Sequence, residues 1–245
     1  MKAARTLVER NWLLACLEPS VRTAFEPRLR RVDLQVGAVL VAQGDEVTTV
    51  VFPEGALIGL VSTMAAGDSI QTAMIGWDGA LGVFEACGSR KSAFHAEVQV
   101  AGPAMVMQAR DYRAMFDASA TLRECVHKYV EVLLAEARQD VACNAIHSAE
   151  GRLSRAILEA LERSRDGRTL PMTQEALSQV VGVQRTTITN VMAGLQARGA
   201  VSARRGVIEV LEAAELEKLA CCCRESVIEM RAAIFASREA VCEED

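Results

Sequence analysis

From Asp111 to His147 the chain runs for 37 residues without a glycine or a proline. Ten of its 16 glycines fall just before that stretch, between Arg28 and Arg110. Two such textures side by side demand two kinds of structure. The unbroken stretch carries Leu122, Val126, Val130, Leu133, Ala137 and Val141 at spacings of three and four, the stripe of an amphipathic helix. A helix of this length outruns any one small barrel, so the stripe is expected to form a dimer seam with the same helix of a second copy, with packing against the barrel as the other reading. The glycine-rich block is expected to fold as short strands: Val36–Val41, Thr48–Phe52, Leu57–Val61, Gln71–Ile75, Ala93–Val100 and Ala104–Gln108. Strands broken by turn residues at this pace point to an antiparallel sandwich or barrel, which closes its own edges.

A third texture begins near Glu150. Leu153, Ile157 and Leu161 share one helix face, and Asp166-Gly167 is expected to turn the chain. Thr173 is placed to cap a short helix carrying Leu177, Val180 and Val181. Gly182 can supply the left-handed backbone of a tight turn. A second helix is expected from Val183 to about Ala197, ended by Arg198-Gly199-Ala200. Val201 to Val210 then reads as a two-stranded wing turning at Arg204-Arg205-Gly206. Two short helices joined through a glycine turn are a helix-turn-helix. On the second helix Ile188, Val191, Met192 and Leu195 cluster on one side, and Arg185, Thr186, Thr189 and Asn190 on the other. Short polar side chains and one bidentate donor suit a helix that enters the major groove of duplex DNA. No acidic residue lies between Val183 and Gln196 to repel phosphates.

The charge distribution agrees. The whole chain has a formal net charge of −5, yet residues 151–210 hold nine Lys/Arg against five Asp/Glu. Residues 211–245 reverse this, with four against nine. A local basic patch is what phosphate contact needs, because salt screens charges within about 8 Å. Aromatics are only 4% of the chain, which argues against a stacking platform for bases. No apolar run reaches the roughly 18 residues of a membrane span. Lys2, Arg5 and Arg10 precede only a short apolar stretch, so no signal peptide and a cytoplasmic location are expected. The eight cysteines contain no CxxC pair, and neighbours Cys221, Cys222 and Cys223 would diverge on a helix. These three are read as small hydrophobes, with redox or thiol–metal sensing together with Cys242 as the other reading. His95, His127 and His147 show no ligand spacing, so no metal is assigned. No nucleophile–base or carboxylate pairing is evident, and an enzyme is not expected.

The stretch Met172–Val201, and Gly151–Leu158 upstream of it, resemble the DNA-binding helices of the CRP/FNR family of bacterial transcription regulators. The resemblance implies an α+β chain. A helical segment at 1–27 precedes a jelly-roll effector barrel at 28–110. A dimerisation helix at 111–147 and a winged helix-turn-helix at 148–215 follow, then a helical extension at 216–245. It implies a homodimer on double-stranded DNA, with RNA polymerase as a further partner. Arg185, Thr186, Thr189 and Asn190 match base-facing positions; Thr173, Gln174, Gln184 and Thr187 match phosphate-facing ones. Arg204 and Arg205 of the wing are expected to meet phosphate as well. Thr186 departs from the glutamate common in the family. In the barrel, Gly79, Ala80, Leu81 and Gly82, with Arg90, Lys91 and Ser92, resemble the cyclic-nucleotide cassette in outline. Ala80 stands where a ribose-binding glutamate belongs. Lys91 stands at the phosphate-binding arginine, and an ammonium cannot form the planar clamp. Arg90 could compensate if the loop shifts, and amides near Gly79 and Gly82 could nest an anion. Cyclic-nucleotide binding is therefore not expected, no cofactor is assigned, and an altered or unknown small-molecule effector is left open. The contrasting reading is a small-molecule- or redox-sensing barrel that acts through protein contacts rather than DNA.

Overall fold

In a computed structural model of the chain, residues 10–165 and 167–236 are described. Lys2, Arg5, Asp166 and Cys242, together with the outer parts of the two terminal segments, lie outside the described residues. Two short helices come first, α1 (Trp12–Ala15) and α2 (Pro19–Phe25). Seven strands follow: β1 (Arg30–Leu34), β2 (Val39–Val41), β3 (Thr49–Pro53), β4 (Leu57–Thr63), β5 (Ser69–Ile75), β6 (His95–Val100) and β7 (Gly102–Gln108). They form two antiparallel sheets, ordered β1-β7-β3 and β2-β6-β4-β5.

Burial on both faces explains why β3 reads as a continuous apolar run rather than an alternating one. Successive side chains of a strand point to opposite sides. Val51 faces inward with Ile58, Leu60, Ile75, Leu81 and Ala96, filling the space between the sheets. Val50 and Phe52 face outward, where they join Met105 and Met107 of β7 beneath the helices. β1 adds a strand to those expected from the glycine punctuation. Its Arg-Arg-Val-Asp-Leu is mostly exposed, so it shows little of the apolar signal of a buried strand.

The long stretch is two helices, not one. α3 (Ala109–Ala118) and α4 (Ala120–Ile146) meet at Ser119, whose backbone is extended. The Ser119 Oγ accepts a hydrogen bond from the Leu122 amide at 3.1 Å, capping α4. The helix therefore breaks without glycine or proline. The seam residues divide too. Leu122 and Val126 are fully buried within the single chain, packed with Leu14, Phe25, Tyr112 and Tyr129. They are core residues, which corrects their placement at a seam. Leu133 is half-buried against the same cluster. Val130, Ala137 and Val141 are exposed, and Leu134, 49% exposed, completes a 130-134-137-141 stripe on the open face.

Beyond α4 come α5 (Ala149–Ser164), β8 (Thr169–Leu170), α6 (Gln174–Val181), α7 (Arg185–Ala197), β9 (Val201–Arg204) and β10 (Val207–Val210). α8 (Ala213–Leu219) and α9 (Cys223–Ala236) end the described chain. β8 adds a third strand to the expected two-stranded wing, in the order β8-β10-β9. Leu153, Ile157, Leu177, Ile188, Leu195 and Ile208 form the core of this unit, and Leu57, Met74 and Val100 of the barrel pack into it. The Gly76–Gly79 turn makes the junction. A Cβ at Gly76 would lie 2.4 Å from the Arg163 carbonyl oxygen, so only glycine fits. The Trp77 indole N–H donates to the Glu162 carbonyl at 2.8 Å, and Arg165 stacks over the ring. Asp78 and Glu136 of α4 pair with Arg163 of α5 and Arg231 of α9. Burial alone would push the Asp78 carboxyl up, but the two guanidiniums hold it below its ordinary value. No helix among the described residues is long and apolar enough to cross a membrane.

Candidate nucleic-acid interface

Local sequence chemistry sets the two helices. Thr173 Oγ1 accepts from the Ala176 amide at 3.1 Å and starts α6. Gly182, at φ +66°, ends it in the left-handed conformation. Val183 and Gln184 complete the turn, and α7 begins at Arg185. Leu177 and Val181 of α6 and Ile188, Met192 and Leu195 of α7 are buried, which fixes the rotation of both helices. Arg185, Thr186, Thr189 and Asn190 are consequently all exposed on the outer face of α7.

Thr189 Oγ1 lies 2.9 Å from Gln174 Oε1 and 3.0 Å from the Arg185 carbonyl. The first contact ties the start of α6 to the middle of α7 and leaves the Gln174 amide NH2 as a donor. Gln184 caps α7 without a side-chain hydrogen bond, so the helix presents open backbone donors and the positive end of its dipole. Thr187 is half-buried beside them, and its amide bonds back to the Gln184 carbonyl at 2.9 Å. The wing turns at Arg205 and Gly206, with φ of +51° and +80° between paired Arg204 and Val207. Positive φ at both central positions is the type I′ hairpin, whose twist matches its strands. Arg204 and Arg205 are thereby exposed at the wing tip. The structure thus assembles a turn-and-wing surface of short polar groups, amides and guanidiniums.

The barrel cassette is arranged differently. Ala80 and Leu81 are buried in the core. The Ala80 amide donates to the Tyr129 hydroxyl at 3.0 Å, and the Leu81 amide to the Val51 carbonyl at 2.8 Å. The Gly79 amide is taken by the Gly76 carbonyl at 3.1 Å, and its own carbonyl accepts from Asn11 Nδ2. The amides expected to nest an anion are occupied within the protein, which corrects that expectation at Gly79. Gly82, at φ +85°, turns the chain against Val47 and Thr49. Ser92 is buried and donates to the Phe94 carbonyl at 2.7 Å, while Arg90 and Lys91 are exposed. A pocket of about 280 Å³ opens from the barrel instead, lined by Val39, Val51, Leu81 and Val106 and also by Arg30, Thr48 and Thr49. A wider cleft of about 420 Å³ lies between β5, α4 and α5.

The architecture is a jelly roll joined by a long helix to a winged helix-turn-helix. Residues 151–219 match the Crp-like helix-turn-helix domain. Solved structures with the same fold include FixK2 of Bradyrhizobium japonicum, with a TM-score of 0.66 at 11% identity over 79% of this chain and 98% of that one. A CRP-family transcriptional regulator of Thermus thermophilus superposes with a TM-score of 0.65 at 18% identity, covering 77% and 96%. The c-di-GMP-responsive global regulator CLP of Xanthomonas campestris gives 0.62 at 14% identity, covering 79% and 99%. No curated protein sequence matches the chain. Residues 151–219 are thus a Crp-like helix-turn-helix domain, and the chain as a whole shares the fold of these regulators.

Proposed function

We propose that the protein is a dimeric, sequence-specific DNA-binding transcription regulator with a degenerate cyclic-nucleotide-binding-like barrel. The observation that carries this reading is the outer face of α7. Arg185, Thr186, Thr189 and Asn190 are exposed together, with no acid between Val183 and Gln196 and with Arg204 and Arg205 on the adjoining wing. Arg185 and its neighbours read base edges. Thr173, Gln174, Gln184, Thr187, Arg204 and Arg205 hold phosphates and fix the register.

Val130, Leu134, Ala137 and Val141 support the dimer. They form an exposed apolar stripe at heptad spacing on α4, which a second copy would cover. Two-fold symmetry then asks for a palindromic operator with half-sites about 34 Å apart. An effector lodged in the barrel's open pocket would meet mostly aliphatic side chains, with Arg30, Thr48 and Thr49 beside them and no cassette arginine. That pocket lacks the cassette contacts a cyclic nucleotide needs. RNA polymerase is the partner that a regulator of this type would contact.

Selection from a random duplex pool tests the reading, followed by binding at several salt concentrations. Enrichment of a palindrome, with affinity falling steeply as salt rises, is the expected result. Recovery of no consensus, with weak salt-insensitive binding, would leave the barrel acting through protein contacts.

A further inference from the structure

The turn between α8 and α9 carries a site that the DNA-binding reading does not use. Cys143 and His147 sit one helical turn apart at the end of α4. Cys221 and Cys223 flank the turn that opens α9. The four potential ligand atoms all lie within 4.8 Å of one another. Cys143 Sγ is 3.5 Å from Cys221 Sγ, and Cys223 Sγ is 3.4 Å from His147 Nδ1. With zinc–sulfur bonds of about 2.3 Å and zinc–nitrogen bonds of about 2.0 Å, a tetrahedron has edges of roughly 3.8 and 3.5 Å. The cluster is within a small side-chain adjustment of that shape. Three consecutive cysteines would diverge on one helix, but Cys221 precedes α9 and the chain bends there. Alternate cysteines converge while Cys222 turns out to solvent.

We propose that Cys143, His147, Cys221 and Cys223 form a four-coordinate site for a soft divalent ion of the zinc class. Three sulfurs and one imidazole fill every tetrahedral position, as in structural rather than catalytic sites. Cys143 and Cys223 are fully buried, while His147 and Cys221 reach the surface and give an entry path. Gln139 Nε2 donates to Cys223 Sγ at 3.1 Å, an outer partner that steadies a thiolate. On binding, the three thiols release their protons to solvent and the sulfurs bond the ion. The ion fastens the start of α9 to α4. Eight residues further on, Arg231 fastens the same helix to Asp78 and Glu136. Loading therefore governs whether α9 stays docked across the barrel and α4.

The test is cobalt(II) titration of the full chain, purified reduced and with air excluded. One equivalent should give the strong visible bands of a tetrahedral ion and a thiolate charge-transfer band, and zinc should displace it. Cys222→Ser and Cys242→Ser should bind as the wild type does. Cys221→Ser and His147→Gln should weaken binding by about 100-fold or more, and Gln139→Ala by about 10-fold. Zinc should also protect Cys143, Cys221 and Cys223 of the wild type, but not Cys222, from alkylation, a readout that needs no variant to fold. Hydrogen exchange across α9 should rise when the ion is chelated. Octahedral cobalt spectra, equal loss in Cys222→Ser, or a Cys143–Cys221 disulfide in the air-excluded protein would overturn the proposal.

Discussion

Arg163→Met probes the junction between barrel and DNA-binding domain most sharply. The Arg163 side chain is 11% exposed and lies among Asp78, Glu136 and the Met74 carbonyl, at 3.2, 3.1 and 2.9 Å. Methionine fills much of the volume but removes the charge, leaving two buried carboxylates to share Arg231. Breaking a buried pair by removing one partner costs about 3–5 kcal/mol, because the other charge stays desolvated. For a chain of this size each kcal/mol lowers Tm by about 2–4 °C, so a fall of roughly 6–20 °C is expected. Arg163→Met with Asp78→Asn should recover part of the loss, since the stranded charge is gone. The sign with pH is fixed by Asp78, whose folded value is depressed. Its contribution is full above its ordinary value and fades as pH falls through the folded one. The gap between wild type and Arg163→Met should therefore narrow in acid. Thermal and urea unfolding of the four proteins of the cycle would measure this. A single variant within about 0.5 kcal/mol of wild type, or strictly additive changes, would refute the junction as described.

Other expectations are independent of that junction. Leu134→Asp should convert dimer to monomer in sedimentation without unfolding the subunit, and a persistent dimer would remove the 130-134-137-141 stripe from the interface. Leu122→Ala should instead destabilise each subunit by about 2–5 kcal/mol, because it empties core volume. Tyr129→Phe strands the buried Ala80 amide and should cost about 1–3 kcal/mol, with no gain of cyclic-nucleotide binding by calorimetry.

Much of this architecture is legible in the sequence because its signals are local. Glycine punctuation marks the strands from β2 to β7, and Thr173 and Gly182 mark the ends of α6 through backbone chemistry alone. The Ser119 break escapes because a serine cap, not a breaker, makes it. α4 carries two apolar stripes, one through Leu122, Val126 and Tyr129 and one through Val130, Leu134 and Val141. Only the packing of α1, α2 and β7 decides which stripe the subunit claims for itself. The thiol–imidazole cluster is harder still. Cys143 and His147 at i and i+4, and Cys221 and Cys223 at i and i+2, are short-range hints. The 73 residues between the two pairs are bridged by tertiary packing alone. The barrel cassette shows the converse. Its residue types suggest an anion nest, but Tyr129, distant in sequence, occupies the Ala80 amide.

The central claim is that Arg185 reads bases while the wing holds phosphate, and binding isotherms on selected and scrambled duplexes at several salt concentrations test it most directly. Arg185→Ala should weaken the selected site by about 1–3 kcal/mol and relax one base pair per half-site, with little change on scrambled DNA. Arg205→Asn removes the wing-tip charge and suits the left-handed backbone there, so the hairpin should persist. It should weaken both DNAs alike and lower the salt slope by about one for each phosphate no longer neutralised. Identical behaviour of the two variants on both duplexes would contradict the assignment of base reading to Arg185.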